Sequence, residues 1–328
     1  MNLVNGLRSH GERLYHLGAR RVCRSTLADA NKNRSPEVFA GIFQLLVQQA
    51  NAKLRRAIAD TTLLIDATNL PLRRSASWAY FSATTCGAKL HIIYDAAAER
   101  PIYAAISAAR INDITAAKEM PIVPGATYVF DLGYYDYAWW AELDRAQCRI
   151  VTRIKSNTPL DVVEHLPLPP DSSNILSDCI GFLPQRQKKN RRNPFHHAVR
   201  ELRVRTETGK ILRILCNDLD ATAQEIADLY KQRWQIELFF RWIKQTLKIT
   251  RFLGVSENAL RIQIAVALIA YLLLRMAHAD LRLTLSATDF VRLVRINLMH
   301  RRPIDRLLQP APVQQTDPPT EQFAWNFP

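Results

Sequence analysis

Along the chain, apolar positions alternate between helical and strand spacing. Ser35-Pro36-Glu37 forms a helix start, with Ser as cap and Pro in the first turn. Val38, Phe39, Ile42, Phe43, Leu45 and Leu46 then recur at helical spacing, and residues 7–60 read as helical. At Thr61 the pattern changes to TTLLIDATNL, which is short and β-rich. AKLHIIYDA (88–96) and RPIYAAISAA (101–109) follow, two β-runs joined by a short turn, which predicts a hairpin. NDITAAKEM predicts a short helix. Pro121, Pro124 and Gly125 break the chain before ATYVFD, a strand ending at Asp131. DYAWWAELDRAQ predicts a helix and RIVTRIK (149–155) a strand. Three strands, then helix, strand, helix and strand predict an α/β fold, with a mixed central sheet flanked by helices.

Residues 156–220 break this rhythm. They begin Pro-rich (PLPP), carry the basic run QRQKKNRRN (185–193), and end in a second hairpin, AVRELRVRT and KILRILC, around Glu207-Thr208-Gly209. From Ala221 one long helix is predicted to about Lys248 and a second to about Leu283. The apolar run Ile264–Leu274 is too short to cross a bilayer, which needs about 20 residues, and reads as a buried core helix. Five segments result: a helical N-terminal region, 1–60, a DNA-binding candidate; the first part of a catalytic core, 61–155; a β-rich insertion, 156–220; a helical completion of the core, 221–302; and a Pro/Gln-rich tail, 303–328, expected to be disordered or loosely draped.

Charge narrows the function. The 328 residues carry 44 Lys and Arg against 30 acids, a net charge of +14. A balance this basic suits a polyanionic partner, although a basic metabolic enzyme or a ribosome-associated protein would share it. The run at 185–193 is either a solvated loop or a phosphate contact; the neighbouring basic strands favour the contact, through Lys188, Lys189, Arg191 and Arg192. Five scattered cysteines form no CxxC pair, which fits a reducing cytoplasm and excludes a zinc ribbon or a disulfide frame. The start of the chain shows no apolar signal segment, and no membrane association is expected.

Three acids are placed for chemistry. Asp66 follows Leu63-Leu64-Ile65, and Asp131 follows Tyr128-Val129-Phe130. A carboxylate in or just after a buried strand is costly unless paired or metal-bound, although each alone is also an ordinary strand-end residue. Glu237 lies in YKQRWQIELFFRWIK. Tyr230, Arg233, Glu237 and Lys244 fall within about 60° of one helix face at 3.6 residues per turn. Ile236, Phe239, Phe240 and Ile243 lie on a neighbouring face that can anchor the helix. A solvated Arg–Glu pair would explain Arg233 and Glu237, but not the Tyr and Lys on the same stripe. Three carboxylates can hold two Mg²⁺ ions about 4 Å apart, with Mn²⁺ able to substitute. Arg, Lys and Tyr beside them can clamp phosphates.

Tyr230-x2-Arg233-x3-Glu237-x6-Lys244 resembles the signature of the IS4-type family of bacterial insertion-sequence transposases. IDATNLPL around Asp66 and VFDLGYYDY around Asp131 resemble its two Asp blocks, and RSTLADANKNRSPEVF (24–39) a stretch that precedes the core in one branch. The likeness covers about residues 20–300. It implies a ribonuclease-H-like core with a β insertion between Asp131 and Glu237. It implies Asp66, Asp131 and Glu237 as catalytic metal ligands, and Arg153, in VTRIKSN with Lys155, as a basic DNA contact after the last core strand. It further implies excision of an element and strand transfer into a target, on double-stranded DNA in the bacterial cytoplasm, by a homodimer when two ends are synapsed. That branch usually carries a further helical segment upstream, so the end-recognition region is expected to be shortened here. The Trp that some relatives use to hold a flipped base has no counterpart in 156–220, so a hairpin intermediate is not expected. A nuclease without strand transfer and a DNA-binding protein that no longer cuts are the rival readings. A supercoiled-plasmid assay separates them by the presence of joined products.

Overall fold

The computed structural model describes residues 3–52, 61–73, 76–79, 86–168, 174–186, 192–247, 249, 252–281 and 284–300. The tail, 303–328, and Lys188, Lys189 and Arg191 of the basic run lie outside the described residues. The chain forms two compact units. One is residues 29–273; the other joins 1–28 to 274–328. The second contains α1 (Leu3–Ser9), and α9 (Ala287–Asn297), whose Phe290 ring meets the edge of His278 at 5.6 Å.

The larger unit is built on a sheet that has nine strands among the described residues, in the order β3-β2-β1-β4-β5-β9-β8-β7-β6. The predicted hairpin is present as β2 (Cys86–Asp95) and β3 (Arg100–Ala108). β1 (Thr62–Leu72) pairs antiparallel with β2 and parallel with β4 (Thr127–Val129), which pairs parallel with β5 (Arg149–Arg153). This is the mixed α/β sheet of the ribonuclease-H-like arrangement expected from the order of elements. Residues 156–220 continue that same sheet. β9 (Ile211–Cys216) pairs with β5, followed by β8 (Val199–Arg205), β7 (Ile175–Phe182) and β6 (Asp161–His165). The predicted turn is there too, with Gly209 at a φ of 79°, a left-handed conformation that glycine adopts without strain.

Strand period two sends alternate residues to opposite layers. Leu64, Leu70, Leu90, Ile92 and Val129 face a core formed with α3 (Glu37–Ala52), α6 (Ala223–Gln232), α7 (Trp234–Thr246) and the first part of α8 (Glu257–Asp280). Leu63, Ile65, Ile93, Tyr128 and Phe130 face the other layer, with α4 (Asp113–Ala117) and α5 (Tyr137–Arg145). α8 is long and apolar enough to cross a membrane by length and composition. Its Leu260, Ile264, Leu268 and Leu272 recur at helical spacing and are buried in the first core, as a core helix requires.

The expected single helix from Ala221 to Lys248 is instead two, α6 and α7, meeting at Arg233. There the backbone tightens into i→i−3 bonds: Arg233 N–H donates to the Tyr230 carbonyl, and Ile236 N–H to that of Arg233. Apolar periodicity runs unbroken through this point, so the sequence pattern carries no sign of the turn. Such a local 3₁₀ tightening is a recurrent mark of a functional hinge.

Candidate active site

Parallel register brings the two aspartates together. Leu64 of β1 lies opposite Val129 of β4. Two residues further on, Asp66 inside β1 and Asp131 just past the carboxyl end of β4 occupy corresponding places on the same face. Ligand sites of open α/β sheets form at such ends. α7 packs over this face through Ile236, Phe239, Phe240 and Ile243 and delivers Glu237 to the same edge.

Arg233 ties the acids together. Its Nη2 donates to Glu237 Oε1 at 2.6 Å, and its Nη1 stands 3.6 Å from Asp66 Oδ2. The three side chains are 17%, 31% and 19% exposed respectively, so the pairing is not diluted by full solvation. Burial, and then Asp131 and Glu237, push Asp66 up to about 6, against the Ala67 N–H and the Arg233 charge, which lower it. Asp131 caps the 3₁₀ turn Leu132–Tyr134, accepting from Gly133 N–H at 2.8 Å.

The remaining stripe residues lie on the two helices, Tyr230 on α6 and Lys244 on α7. Tyr230 is buried, with the Arg233 guanidinium 5.9 Å from its ring centre. Burial raises its phenol above the ordinary range, and the nearby cations Arg233 and Arg153 oppose this. Lys244 Nζ donates to Thr68 Oγ1 at 2.6 Å, two residues along β1 from Asp66 on the same face, and burial lowers its pKa.

Arg153 and Lys155 line a groove of about 540 Å³ that opens at Leu132, next to Asp131, and continues past Lys210. Arg213, also in its wall, is occupied otherwise. It pairs with buried Glu201 at 2.6 Å and donates to the carbonyls of Lys155, Ser156 and Thr158, fixing that loop. Arg153, Lys155 and Lys210 have no carboxylate partner among the described residues. Lys155 Nζ lies 4.7 Å from the Tyr135 ring centre. Arg192 is exposed, bridged through its backbone to Arg186, and is not part of this groove. Sequence reasoning missed Lys210, an ordinary turn lysine until β9 pairs with β5. It also missed Asp113, whose carboxylate reaches the Asp131 loop from α4.

Among the described residues no three acidic, imidazole or thiol groups are gathered closely enough to close on one ion. The donor set nevertheless suits a hard cation. It consists of carboxylates, and one of them is lifted by burial and then by its acidic neighbours. The one cation placed between Asp66 and Glu237 is a guanidinium on a long, adaptable side chain.

Residues 58–273 match the family described as Transposase DDE domain. The chain is 39% identical over 290 residues to y4zB of Sinorhizobium fredii, by name a transposase, covering 88% of this chain and 80% of that one. It is 40% identical over 83 residues to a Synechocystis protein named as the transposase for insertion sequence element IS4SA, covering 25% and 23% of the two chains. The solved synaptic complex of piggyBac transposase with hairpin DNA aligns over 77% of this chain and 55% of that chain, at a TM-score of 0.46 and 14% identity. The chain belongs to the DDE-domain transposases of insertion sequences.

Proposed function

We propose that this transposase excises and integrates its element by metal-dependent phosphodiester hydrolysis and strand transfer, with Asp66, Asp131 and Glu237 as the metal ligands. The observation that carries this reading is the Arg233 bridge. One guanidinium reaches carboxylates from β1 and α7, while Asp131 acts on Asp66 from β4. Three acids from distant parts of the chain thus act on one edge, with Arg233 between two of them. Two divalent cations, Mg²⁺ in the cell, would supply Lewis acidity there to the attacking and leaving oxygens.

The chain's own groups do the rest. Arg233, released from the acids, is free to turn to a phosphate beside the scissile bond, where a planar guanidinium binds two oxygens at once. The Tyr230 phenol, held neutral, is available to donate to the same backbone. Lys244 holds the edge of β1 through Thr68 and adds positive charge facing the DNA. Arg153 and Lys155 carry the DNA backbone away along the groove. In strand transfer the 3′-oxygen of the element end forms a bond to a target phosphorus as that phosphorus loses its own 3′-oxygen. Bond count is conserved and no covalent enzyme intermediate is needed. Bringing two element ends together calls for two copies of the chain.

The test is Glu237→Ala in a plasmid assay with the element ends. Mg²⁺-dependent cleavage is expected to vanish while DNA binding stays, since binding rests on phosphate contacts. Unchanged cleavage removes Glu237 from the site. Nicking by the unmodified protein without joined products would show a nuclease instead.

A further inference from the structure

In the wall of the basic groove, Lys155–Thr158 close a turn, with Thr158 N–H donating to the Lys155 carbonyl at 3.0 Å. Arg213 Nη1 donates to the carbonyls of Lys155, Ser156 and Thr158 at 3.0, 3.0 and 2.7 Å. Arg213 is itself held by buried Glu201, through Nε at 2.7 Å and Nη2 at 2.6 Å. On the Thr158 side chain, the Tyr135 hydroxyl bonds Oγ1 at 2.9 Å and is steadied by the Tyr137 hydroxyl at 2.6 Å. The Tyr135 ring centre also lies 4.7 Å from the Lys155 ammonium. The turn is thus clamped by β9 and by the segment that follows Leu132–Tyr134, two parts of the chain remote from each other in sequence.

The clamp sets the direction of the backbone donors. No peptide bond among the described residues is cis, and in a trans peptide the N–H and C=O point opposite ways. The carbonyls of Lys155 and Ser156 point at Arg213, so the N–H groups of Ser156 and Asn157 point away from it. The Thr158 carbonyl shares its peptide with Pro159, which has no N–H to place. Neither N–H has a partner among the described residues, and Lys155, Ser156 and Asn157 are exposed and line the groove. Oxygens that would repel an anion are drawn onto a guanidinium, while two N–H groups and the Lys155 ammonium remain. Arg153 Nε, two residues before the turn, is buried without a partner among the described residues. A buried donor in that state points to an acceptor that completes it. No acid lines the groove. A plain staple between loop and β9 accounts for the Arg213 bonds, but not for the orphaned Arg153 donor or for a wall without an acid.

We propose that the Lys155–Thr158 turn binds a DNA phosphate through the backbone N–H groups of Ser156 and Asn157 beside the Lys155 ammonium, and that Arg213 is a positioning residue that shapes the turn without touching DNA. The inference rests on the reading of the groove as the DNA path and deepens it. Backbone donors already fixed in place bind a phosphate without the entropy cost of ordering a long side chain. A phosphate contact carries no sequence information directly, so the turn serves any duplex. Neutral donors also release no counterion on their own account, so they add affinity without adding to its salt dependence.

Fluorescence anisotropy of a mixed-sequence DNA duplex, titrated with the full chain at several salt concentrations, reads this contact without any cleavage. Neither central residue of the turn has a positive φ, so the first central place accepts proline. Ser156→Pro deletes the N–H, and Ser156→Ala keeps it. Ser156→Pro is expected to bind about tenfold more weakly than Ser156→Ala, the scale of a hydrogen bond to a charged group, at an equal slope of log affinity against log salt. Arg213→Lys keeps the charge and a partner for Glu201 but cannot hold three carbonyls, and is expected to weaken binding several-fold. Equal affinity of Ser156→Pro and Ser156→Ala overturns the turn as a phosphate site. Should Ser156→Pro melt at a lower temperature, Arg213→Lys decides: the affinity of the unmodified protein there overturns the proposal. If Lys155→Ala lowers the salt slope while Ser156→Pro matches Ser156→Ala, only the turn fails. If neither Lys155→Ala nor Ser156→Pro changes binding, the groove is not the DNA path and that reading fails as well.

Discussion

At the scale of single residues, Asp66 is the most informative side chain. Its carboxyl titrates near 3.8 in the unfolded chain and is raised to about 6 in the folded one. The folded protein therefore holds that proton more tightly. The stability associated with the neutral carboxyl is fully present below about pH 4 and is lost as the pH rises to about 6. Metal-free Asp66→Asn should accordingly be more stable than the unmodified protein at pH 7, by on the order of 1–3 kcal/mol, and unfold at a higher temperature. The gain should disappear at pH 4. A scanning calorimeter measures both, and a gain independent of pH would assign it to something other than this charge. Such a cost is what the proposed cation site would entail. The sequence showed Asp66 only as a carboxylate after an apolar run. The elevation comes first from burial and then from Asp131 and Glu237, which only folding brings near. Asp113 was not legible for a similar reason. As the first residue of a short helix it looks like an ordinary N-terminal acid, and only the fold sets it beside Gly133.

At the scale of elements, the strands of the core were readable because period two and Gly/Pro punctuation are local signals. The strand pairs β2–β3 and β8–β9 formed where the turn residues placed them. The junction of α6 and α7 was not readable. Apolar spacing continues through Arg233, and the tightened turn accompanies contacts of Arg233 with Asp66 and Glu237. α7 must be held firmly to deliver Glu237, and its buried face does that. Ile236 is fully buried whereas Leu238 is 45% exposed. Ile236→Ala should cost about 2–5 kcal/mol in a denaturant titration, by cavity formation. Leu238→Ala should stay within about 0.5 kcal/mol. Equal costs would mean that the helix is not anchored by this face.

At the scale of the whole molecule, the excess of basic residues takes on direction. Net charge alone suits any polyanion. Lys155 and Lys210 come from segments far apart in sequence, yet they line one groove that begins beside Asp131. DNA affinity should fall steeply between about 50 and 200 mM salt, and Lys155→Ala and Lys210→Ala should each lower the slope of log affinity against log salt by about one. A slope unchanged in Lys210→Ala would remove β8–β9 from the DNA path. The continuity of the sheet explains why this was hidden: residues 156–220 read as a β-rich insertion, and nothing local shows that β9 pairs with β5 and carries its turn to the groove. Spacing within single segments sufficed for the core strands, the mixed sheet and the candidate status of Asp66, Asp131 and Glu237, because each of these signals is local. Folding decided that Arg233 bridges two of the acids, that Asp66 is raised to about 6, and that Lys210 lines the groove beside Leu132. Those facts depend on strand register and on charges acting across a few ångströms between segments that the sequence keeps far apart.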